Sequence, residues 1–255
     1  MANAEEVASQ LDQAGLAVFD CGVDPREFDA ACARAKRHPG IIAGVGLHPW
    51  WIADGRCGDA EFALLCDIAA HERFIGEVGL DFSPRFAESA ETQVAAFTKL
   101  CGALAGNPMA GRVISIHTVR SADTVLDILE NHDLLKADPG SPTIIFHWFS
   151  GTSNEFVRAR NAGCFFSVNE RMLATKRGRE YARQIPERQL LLETDYPRDP
   201  GDTCSATELR HSLERTVEQL ADLRKTTAGA LASTTAATAM AACSPSRAKP
   251  FKSSH

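Results

Sequence analysis

Six residues of types suited to acid–base or metal chemistry lie within or directly after short apolar runs of the sequence. They are His48, Glu77, Asp81, His117, His147 and Asp195. Imidazole nitrogens and carboxylate oxygens together form a common ligand set for divalent metals. Each residue alone has a structural explanation, such as a hydrogen-bonded histidine, an ion-paired glutamate or a helix-capping aspartate. Their recurrence at five run ends favours a shared site.

The apolar runs are typical of buried parallel strands, because they are four to eight residues long and mostly lack alternation. They cover residues 16–21, 41–47, 73–80, 112–117, 143–149, 164–168 and 190–194. Amphipathic segments lie between them, at 60–70, 91–104, 122–130, 155–162 and 208–223. Alternating strands and helices predict βαβ units.

This order predicts an α/β fold, a TIM-like (β/α) barrel in which functional residues collect at the carboxyl ends of the strands. The chain opens with a helical pattern, so the first barrel strand has no counterpart. A doubly wound open sheet is the alternative. It is disfavoured because the residues after Cys21 contain no glycine-rich phosphate loop.

Composition excludes several classes of protein. The 255 residues carry a net charge of −6, which argues against a generally basic nucleic-acid-binding surface but not against a local basic patch. We find no run of eighteen strongly apolar residues and no secretory signal pattern. The eight cysteines include no C-x-x-C pair, so we expect reduced thiols in a cytoplasmic protein.

Five motifs in the same order as these strands resemble the signatures of the TatD family of metal-dependent deoxyribonucleases. They are Gly44-Val-Gly-Leu-His-Pro49, Ile75-Gly-Glu-Val-Gly-Leu-Asp81, Ile116-His117, His147-Trp-Phe-Ser-Gly151 and Leu192-Glu-Thr-Asp195-Tyr-Pro197. The resemblance spans residues 5 to 220 and implies a barrel of the metal-dependent hydrolase type. Residues 147–151, 163–168 and 172–179 are also similar to the TatD-like nuclease of Qat anti-phage systems, which would add defence-system partner proteins.

The resemblance implies roles for individual residues. Glu77 would bridge two divalent ions (Mg, Mn or Zn), His117 and His147 would hold one of them, and Asp195 would bind the other and act on the attacking water. His48, Asp81, Arg120 and Ser150 would surround the substrate phosphate. Two cations about 3.5–4 Å apart can generate hydroxide at neutral pH and stabilise the leaving oxygen of a phosphodiester.

DNA is the expected partner, and single-stranded DNA or its ends in particular. Trp50, Trp51, Trp148 and Phe149 could stack on unpaired bases, although a core position is at least as plausible for the last two. A set of cations lies between the last three strands, and we expect some of it to face phosphate. The set comprises Arg158, Arg160, Arg171, Lys176, Arg177, Arg179, Arg183, Arg188 and Arg198.

The sequence also departs from the family pattern. The N-terminal His-x-His pair is missing, which leaves open that one metal ion is retained here, and Val119 stands where the family has arginine. We expect residues 1–225 to form an N-terminally incomplete barrel, with a true start upstream of Met1 favoured over a natural seven-stranded variant. Residues 226–255 are expected to be a low-complexity, partly disordered tail.

Two other functions stay open at this point. An amidohydrolase-like enzyme acting on a small amide or ester would use the same metal ligands. A degenerate, non-catalytic binding subunit would explain the missing histidine pair.

Overall fold

A computed structural model describes residues 1–136, 138, 140–197 and 201–244. Its strands are β1 (Val18–Cys21), β2 (Ile41–Gly44), β3 (Phe74–Asp81), β4 (Val113–Val119), β5 (Thr143–His147), β6 (Phe165–Val168) and β7 (Leu190–Leu192). All seven lie within the predicted runs or extend them by one or two residues.

The helices lie between the strands, as the sequence predicted. They are α1 (Ala4–Ala14), α2 (Phe28–Arg37), α3 (Pro49–Ala53), α4 (Asp59–His71), α5 (Ala90–Gly106), α6 (Ala122–Asn131), α7 (Ser153–Asn161), α8 (Glu170–Ala174), α9 (Lys176–Gln184), α10 (Ala206–Arg224) and α11 (Ala228–Ala242). Short 3-10 helices occupy Pro25–Glu27, Ala87–Ser89 and Glu187–Gln189.

Every strand pair is parallel. β1 pairs with β2, and β3 to β7 pair in sequence order. A single bridge between Val45 and Ile75 joins the two groups. Among the described residues no pairing joins β7 to β1, so the barrel is not closed.

Apolar side chains from both outer strands nevertheless meet inside the curled sheet. Phe19 of β1 packs against the cluster that contains Leu191 of β7. The other strand members are Phe74, Val113, Ile145 and Phe165. Burying this shared cluster curves the sheet, since the apolar area leaves water only if the outer strands approach each other. The same curvature brings the carboxyl ends of the strands together.

Local signals explain where helices begin. Thr152 accepts a hydrogen bond from the Glu155 N–H, and the Glu155 carboxylate accepts one from the Thr152 N–H, which forms a capping box at α7. Ser205 and Glu208 form the same box at α10. α8 begins after Asn169, whose side chain accepts from the Met172 N–H at 2.8 Å. These caps fix the segments that follow β5, β6 and β7.

Gly79 allows β3 and β4 to approach closely beside the site. Its φ is +140°, and a Cβ built there would lie 2.1 Å from the carbonyl oxygen of His117. A larger residue would therefore push the two strands apart.

The segment predicted as a tail begins with a packed helix. α11 lies against α10 and β7, and its Leu231 and Ala242 are buried in apolar clusters. The alanine- and threonine-rich composition suits a helix, because small side chains allow close packing on the sheet. Residues 245–255 lie outside the described residues.

Two further observations concern the sequence predictions. In the part of the chain that is described, no helix is long and apolar enough to cross a membrane. All eight cysteines fall within that part, and each is a free thiol.

Candidate metal centre

Glu77 lies at the centre of the site. Its Oε1 atom is 3.0 Å from His48 Nε2, 3.0 Å from His117 Nδ1 and 2.7 Å from His147 Nε2. Burial alone would raise the pKa of Glu77, but the three surrounding imidazoles hold it well below its usual value. The carboxylate is therefore ionised and draws histidines from three elements to one point.

Three ligand atoms fit one divalent ion. Glu77 Oε1, His117 Nδ1 and His147 Nε2 lie 2.7 to 3.3 Å from one another. Tetrahedral coordination with bonds of about 2.0–2.1 Å would place such atoms roughly 3.3 Å apart. Small outward movements of the side chains would accommodate the ion, and the nitrogen and oxygen donors suit zinc, manganese or iron.

A carboxylate lies near the second ring nitrogen of both His117 and His147, on the side away from Glu77. His117 Nε2 is 3.3 Å from Asp81 Oδ2, and His147 Nδ1 is 3.9 Å from Glu193 Oε2. A carboxylate on the far ring nitrogen keeps the proton there and leaves the near nitrogen free to bind a metal. The hydrogen bond from Asp81 supports His117 Nδ1 as a ligand atom. Glu193 lies beyond hydrogen-bond distance of His147 Nδ1 and acts on it through its charge.

The pKa of His147 is strongly affected by the surrounding carboxylates. Burial lowers its pKa, but the Glu77 carboxylate outweighs burial, and with Glu193 and Asp195 it raises the pKa to about 10. Without a metal the imidazole therefore carries a proton, which an incoming cation must displace.

His48 belongs geometrically to the cluster, since its ligand atom lies within 4.8 Å of those of Glu77 and His117. Its chemistry differs, however, because its Nδ1 accepts a hydrogen bond from the Trp50 N–H at 3.1 Å. A neutral imidazole has one donor and one acceptor nitrogen, so the Nε2 of His48 must carry the proton. His48 is thus a hydrogen-bond donor facing the site rather than a metal ligand.

Asp81 is enclosed, with 2% of its surface exposed. Its Oδ2 accepts from the Trp50 indole N–H at 2.7 Å, and its Oδ1 accepts from the Ser83 N–H at 2.8 Å. Burial raises the pKa of Asp81, but hydrogen bonds from His117, Trp50 and Ser83 outweigh it and hold the pKa below its usual value. The structure places Asp81 against His117, and its contact with the substrate phosphate, which the resemblance implied, stays a prediction.

Glu193 was not among the predicted site residues, although it stands in the Glu-Thr-Asp motif that named Asp195. Its carboxylate accepts from Ser167 Oγ and, at 2.7 Å, from Asn169 Nδ2. Burial raises the pKa of Glu193 to about 7. Glu193 could have been predicted from the sequence, because it stands in the same motif as Asp195 and directly follows the last strand.

Among the described residues, Asp195 makes no hydrogen bond to the three histidines in the ligand-free structure. Its carboxylate accepts a hydrogen bond from Arg171, which also donates to the Asp195 carbonyl oxygen at 2.7 Å. Asp195 adopts φ +55°, and the Tyr196–Pro197 peptide that follows is cis. It contributes to the raised pKa of His147, so it lies at the same mouth.

Arg120 and Ser150 lie at the rim. Both are exposed, and Ser150 Oγ donates to the Thr118 carbonyl oxygen at 3.4 Å. Arg120 follows β4 with φ +56°. The structure therefore leaves both side chains accessible, Arg120 after β4 and Ser150 after β5.

The four predicted stacking residues divide into two pairs. Trp51 and Phe149 are buried, at 7% and 1% exposure, and belong to the apolar core. Trp50 and Trp148 are half-buried, and Trp50 stacks on Phe86 with ring centroids 5.4 Å apart. Only the second pair is available to a base.

Some of the predicted cations have partners outside the site. Arg158 forms ion pairs with Asp123, Asp127 and Glu130 of α6, and Arg179 donates to the Leu173 carbonyl oxygen. Arg171 is the member that contacts a predicted site residue in the described part of the chain. Arg198 lies outside the described residues.

Curated relatives of this chain are nucleases. It is 30% identical over 202 residues to the 3'-5' ssDNA/RNA exonuclease TatD of Cronobacter turicensis, covering 76% of this chain and 72% of the relative. It is 28% identical over 245 residues to the enzyme of the same name from Escherichia fergusonii, covering 91% and 89%. A 123-residue match at 27% identity to human deoxyribonuclease TATDN3 covers 48% of this chain and 42% of that protein.

Solved structures agree on the fold. YJJV, a TatD homologue from Escherichia coli K12, superposes with a TM-score of 0.75 at 20% identity, over 94% of this chain and 91% of that one. A TatD-family hydrolase from Entamoeba histolytica gives 0.73 at 16% identity, over 96% and 90%. The family model described as TatD related DNase matches residues 1–243. The chain therefore belongs to the TatD family of metal-dependent hydrolases, as the ordered motifs predicted.

Proposed function

We propose that this protein hydrolyses DNA phosphodiester bonds with the help of a divalent ion, acting on single-stranded DNA or on its ends. The observation that carries this proposal is the convergence of Glu77, His117 and His147, whose ligand atoms lie 2.7 to 3.3 Å apart. Membership of a nuclease family supports the choice of a phosphodiester over an amide or ester.

The ion would be held by Glu77 Oε1, His117 Nδ1 and His147 Nε2. When bound, it supplies Lewis-acid stabilisation of phosphoryl oxygens and lowers the pKa of water. The mixed ligand set accepts Mg, Mn or Zn, and its two imidazoles favour Mn or Zn.

Protein groups around this centre would bind and orient the substrate. His48 would donate its Nε2 proton to a phosphate oxygen, since its Nδ1 is already occupied by the Trp50 N–H. Arg120 and Ser150, both exposed at the rim, would contact the same or the neighbouring phosphate. Asp195 would accept a hydrogen bond from the attacking water and so orient it.

Asp81 and Glu193 would act as positioning residues. Each faces the ring nitrogen that a metal would leave free, Asp81 at His117 and Glu193 at His147. They would fix the tautomer and direction of the ligand rings.

A preference for single strands is supported by Trp50, which is half-buried beside Phe86 at the mouth. Aromatic faces stack on unpaired bases of any sequence. The Cronobacter relative is named a 3'-5' ssDNA/RNA exonuclease, which agrees with this preference.

Further parts of the proposal rest on the sequence. We place the catalytic barrel in residues 1–225 and the protein in the cytoplasm. Similarity to the Qat-system nuclease supports partner proteins of an anti-phage defence system.

The test is cleavage of end-labelled DNA by the purified chain with Mn²⁺, Mg²⁺ or Zn²⁺. Glu77→Gln keeps the shape of the side chain but removes its charge, while Glu214→Gln makes the same change on the exposed surface of α10. We expect metal-dependent shortening of single-stranded DNA by the wild type and by Glu214→Gln, and none by Glu77→Gln.

Other outcomes would overturn the proposal. Hydrolysis of small amides or esters without cleavage of DNA would show an amidohydrolase-like enzyme. Metal binding without hydrolysis of any of these substrates would show a non-catalytic binding subunit.

A further inference from the structure

Three planar groups stack beside the metal centre. The ring centres of Trp50 and Phe86 are 5.4 Å apart, and the two rings are tilted by 30°. The guanidinium carbon of Arg85 lies 5.1 Å from the centre of the Phe86 ring. Aromatic rings and guanidinium groups attract each other at such distances. We call Trp50, Phe86 and Arg85 the rim stack.

Trp50 connects the rim stack to the metal centre. Its indole N–H donates to Asp81 at 2.7 Å. Its ring centre lies 4.8 Å from that of His48 and 6.2 Å from that of His117. An unpaired base that stacks on this indole would therefore lie directly beside the ligand histidines.

The loop after β3 presents Arg85 to solvent from an ordered backbone. Phe86 is buried, with 8% of its surface exposed, whereas Arg85 is exposed. The Phe86 N–H donates to the Ser83 carbonyl oxygen at 2.9 Å, and Ser89 Oγ donates to the Phe86 carbonyl oxygen at 2.8 Å. A side chain that is already placed by such a loop loses less freedom when it binds a ligand.

Arg85 differs from the neighbouring arginines because its charge has no carboxylate partner. Arg26 forms an ion pair with Asp24, and Arg56 forms one with Asp54. Among the residues that the structure describes, none forms a hydrogen bond or an ion pair with the Arg85 guanidinium. The pKa of Asp54 is lowered mainly by its hydrogen bond from Arg56 and less by Arg85, so Asp54 is already engaged. The guanidinium of Arg85 is therefore free to bind an anionic group.

We propose that Arg85 binds a phosphate of the substrate strand beyond the one at the metal centre, so that the rim stack selects a strand of several nucleotides over a dinucleotide. A flexible strand can place one phosphate at the ion, an unpaired base on Trp50 and a further phosphate on Arg85. A dinucleotide has one phosphodiester, which the metal centre occupies. Phosphate contacts of this kind fix the register of a strand without reading its sequence. The inference rests on the proposed nuclease function and adds the length of strand that the site recognises.

The first experiment measures binding without hydrolysis. Fluorescence anisotropy of a labelled ten-nucleotide thymidine strand is recorded in EDTA at several salt concentrations, for the wild type, Arg85→Gln, Arg85→Lys and Arg210→Gln. Arg210 is the matched control, because it is an exposed arginine of α10 that contacts the Ala14 carbonyl oxygen. We expect Arg85→Gln to weaken binding about fivefold or more and to reduce the slope of log Kd against log salt by about 0.7. Arg85→Lys should keep the slope, and Arg210→Gln should match the wild type.

The second experiment compares substrates of different length. With Mn²⁺, kcat and KM are measured on the ten-nucleotide strand and on the thymidine dinucleotide. On the longer strand we expect Arg85→Gln to raise KM about fivefold and to change kcat by less than about twofold. On the dinucleotide kcat/KM should change by less than about twofold, because that substrate does not reach Arg85.

Three results would overturn the role of Arg85. The first is a Kd and a salt slope in Arg85→Gln that equal those of the wild type. The second is an equal loss on both substrates, which would place the effect at the metal centre instead. The third is a wild type that binds the ten-nucleotide strand no more tightly than the dinucleotide.

These readouts separate the two proposals. Metal-dependent cleavage of DNA that Arg85→Gln leaves unchanged on both substrates would support the nuclease function and overturn the role of Arg85. Binding of the longer strand that depends on Arg85, without cleavage in the presence of any of the metals, would support the phosphate contact and overturn the proposed nuclease activity.

Discussion

Replacing Asp81 with asparagine should weaken metal binding although Asp81 touches no metal ligand atom. Its two oxygens accept three hydrogen bonds, from Trp50 Nε1 at 2.7 Å, His117 Nε2 at 3.3 Å and the Ser83 N–H at 2.8 Å. An ionised carboxylate can accept all three. An asparagine amide has one accepting oxygen, and its NH₂ group can only donate.

Each orientation of the asparagine has a cost. If the NH₂ group faces Trp50 and His117, the Trp50 indole N–H loses its acceptor, and His117 must accept at Nε2 and carry its proton on Nδ1, the atom that faces Glu77. Loss of such a supporting carboxylate typically lowers metal affinity about 10- to 100-fold, or roughly 1.4–2.8 kcal/mol. If the NH₂ group faces Ser83 instead, two donors oppose each other in a buried site, which costs about 1–3 kcal/mol of folding free energy.

The assay is Mn²⁺ or Zn²⁺ titration of the wild type, Asp81→Asn and Asp123→Asn, together with thermal unfolding of each without metal. Asp123→Asn is the matched control because Asp123 is exposed on α6 and its side chain pairs with Arg158 rather than with a residue of the metal centre. We expect the control to bind metal as the wild type does. If Asp81→Asn retained both its metal affinity within threefold and its wild-type melting temperature, the tautomer argument would be refuted.

Three other variants test the fold and its pH dependence. Arg112 is buried at 2% exposure, and its guanidinium donates to backbone carbonyl oxygens at the ends of α4 and α5, so Arg112→Met should lower the free energy of unfolding by about 3 kcal/mol or more in urea titrations. A change below about 1 kcal/mol would contradict this. Gly79→Ala should lower the free energy of unfolding by about 2–4 kcal/mol and weaken Mn²⁺ binding, since the new Cβ would lie 2.1 Å from the His117 carbonyl oxygen. An unchanged melting temperature and an unchanged Mn²⁺ affinity by calorimetry would show that the two strands move apart without loss of stability. Asp12 and Glu5 raise the pKa of His38, so protonated His38 stabilises the fold below about pH 6.5 and this contribution is lost as pH rises through the raised folded-state pKa. The melting-temperature difference between wild type and His38→Gln should therefore be larger at about pH 5.5 than at about pH 9, and a larger difference at the higher pH would show the opposite sign.

The strand positions followed from the sequence to within a few residues, because buried parallel strands are continuous apolar runs. The metal ligands Glu77, His117 and His147 could be proposed for the same reason, since parallel strands deliver their carboxyl ends to one side. Six of the eleven described helices, α1, α4 to α7 and α10, followed from amphipathic patterns. α8 and α9 were not predicted, because α8 is only five residues long, α9 is strongly polar, and both begin at side-chain caps, Asn169 and Thr175. The sequence predicts α11 only as part of a tail. Its alanine- and threonine-rich sequence has no clear division into an apolar and a polar face, because this helix packs through small residues.

The sequence by itself determined the kind of chemistry available: imidazoles and carboxylates at the ends of successive strands, in the order of the TatD motifs. Only the tertiary structure decided which role each of these groups has. Hydrogen bonds across the barrel mouth make His48 a donor through Trp50, place Asp81 behind His117, and direct Asp195 to Arg171. These contacts join residues 2 to 36 positions apart. Whether a carboxylate binds a metal or a guanidinium depends on distances of a few ångströms, and spacing along the chain does not specify them.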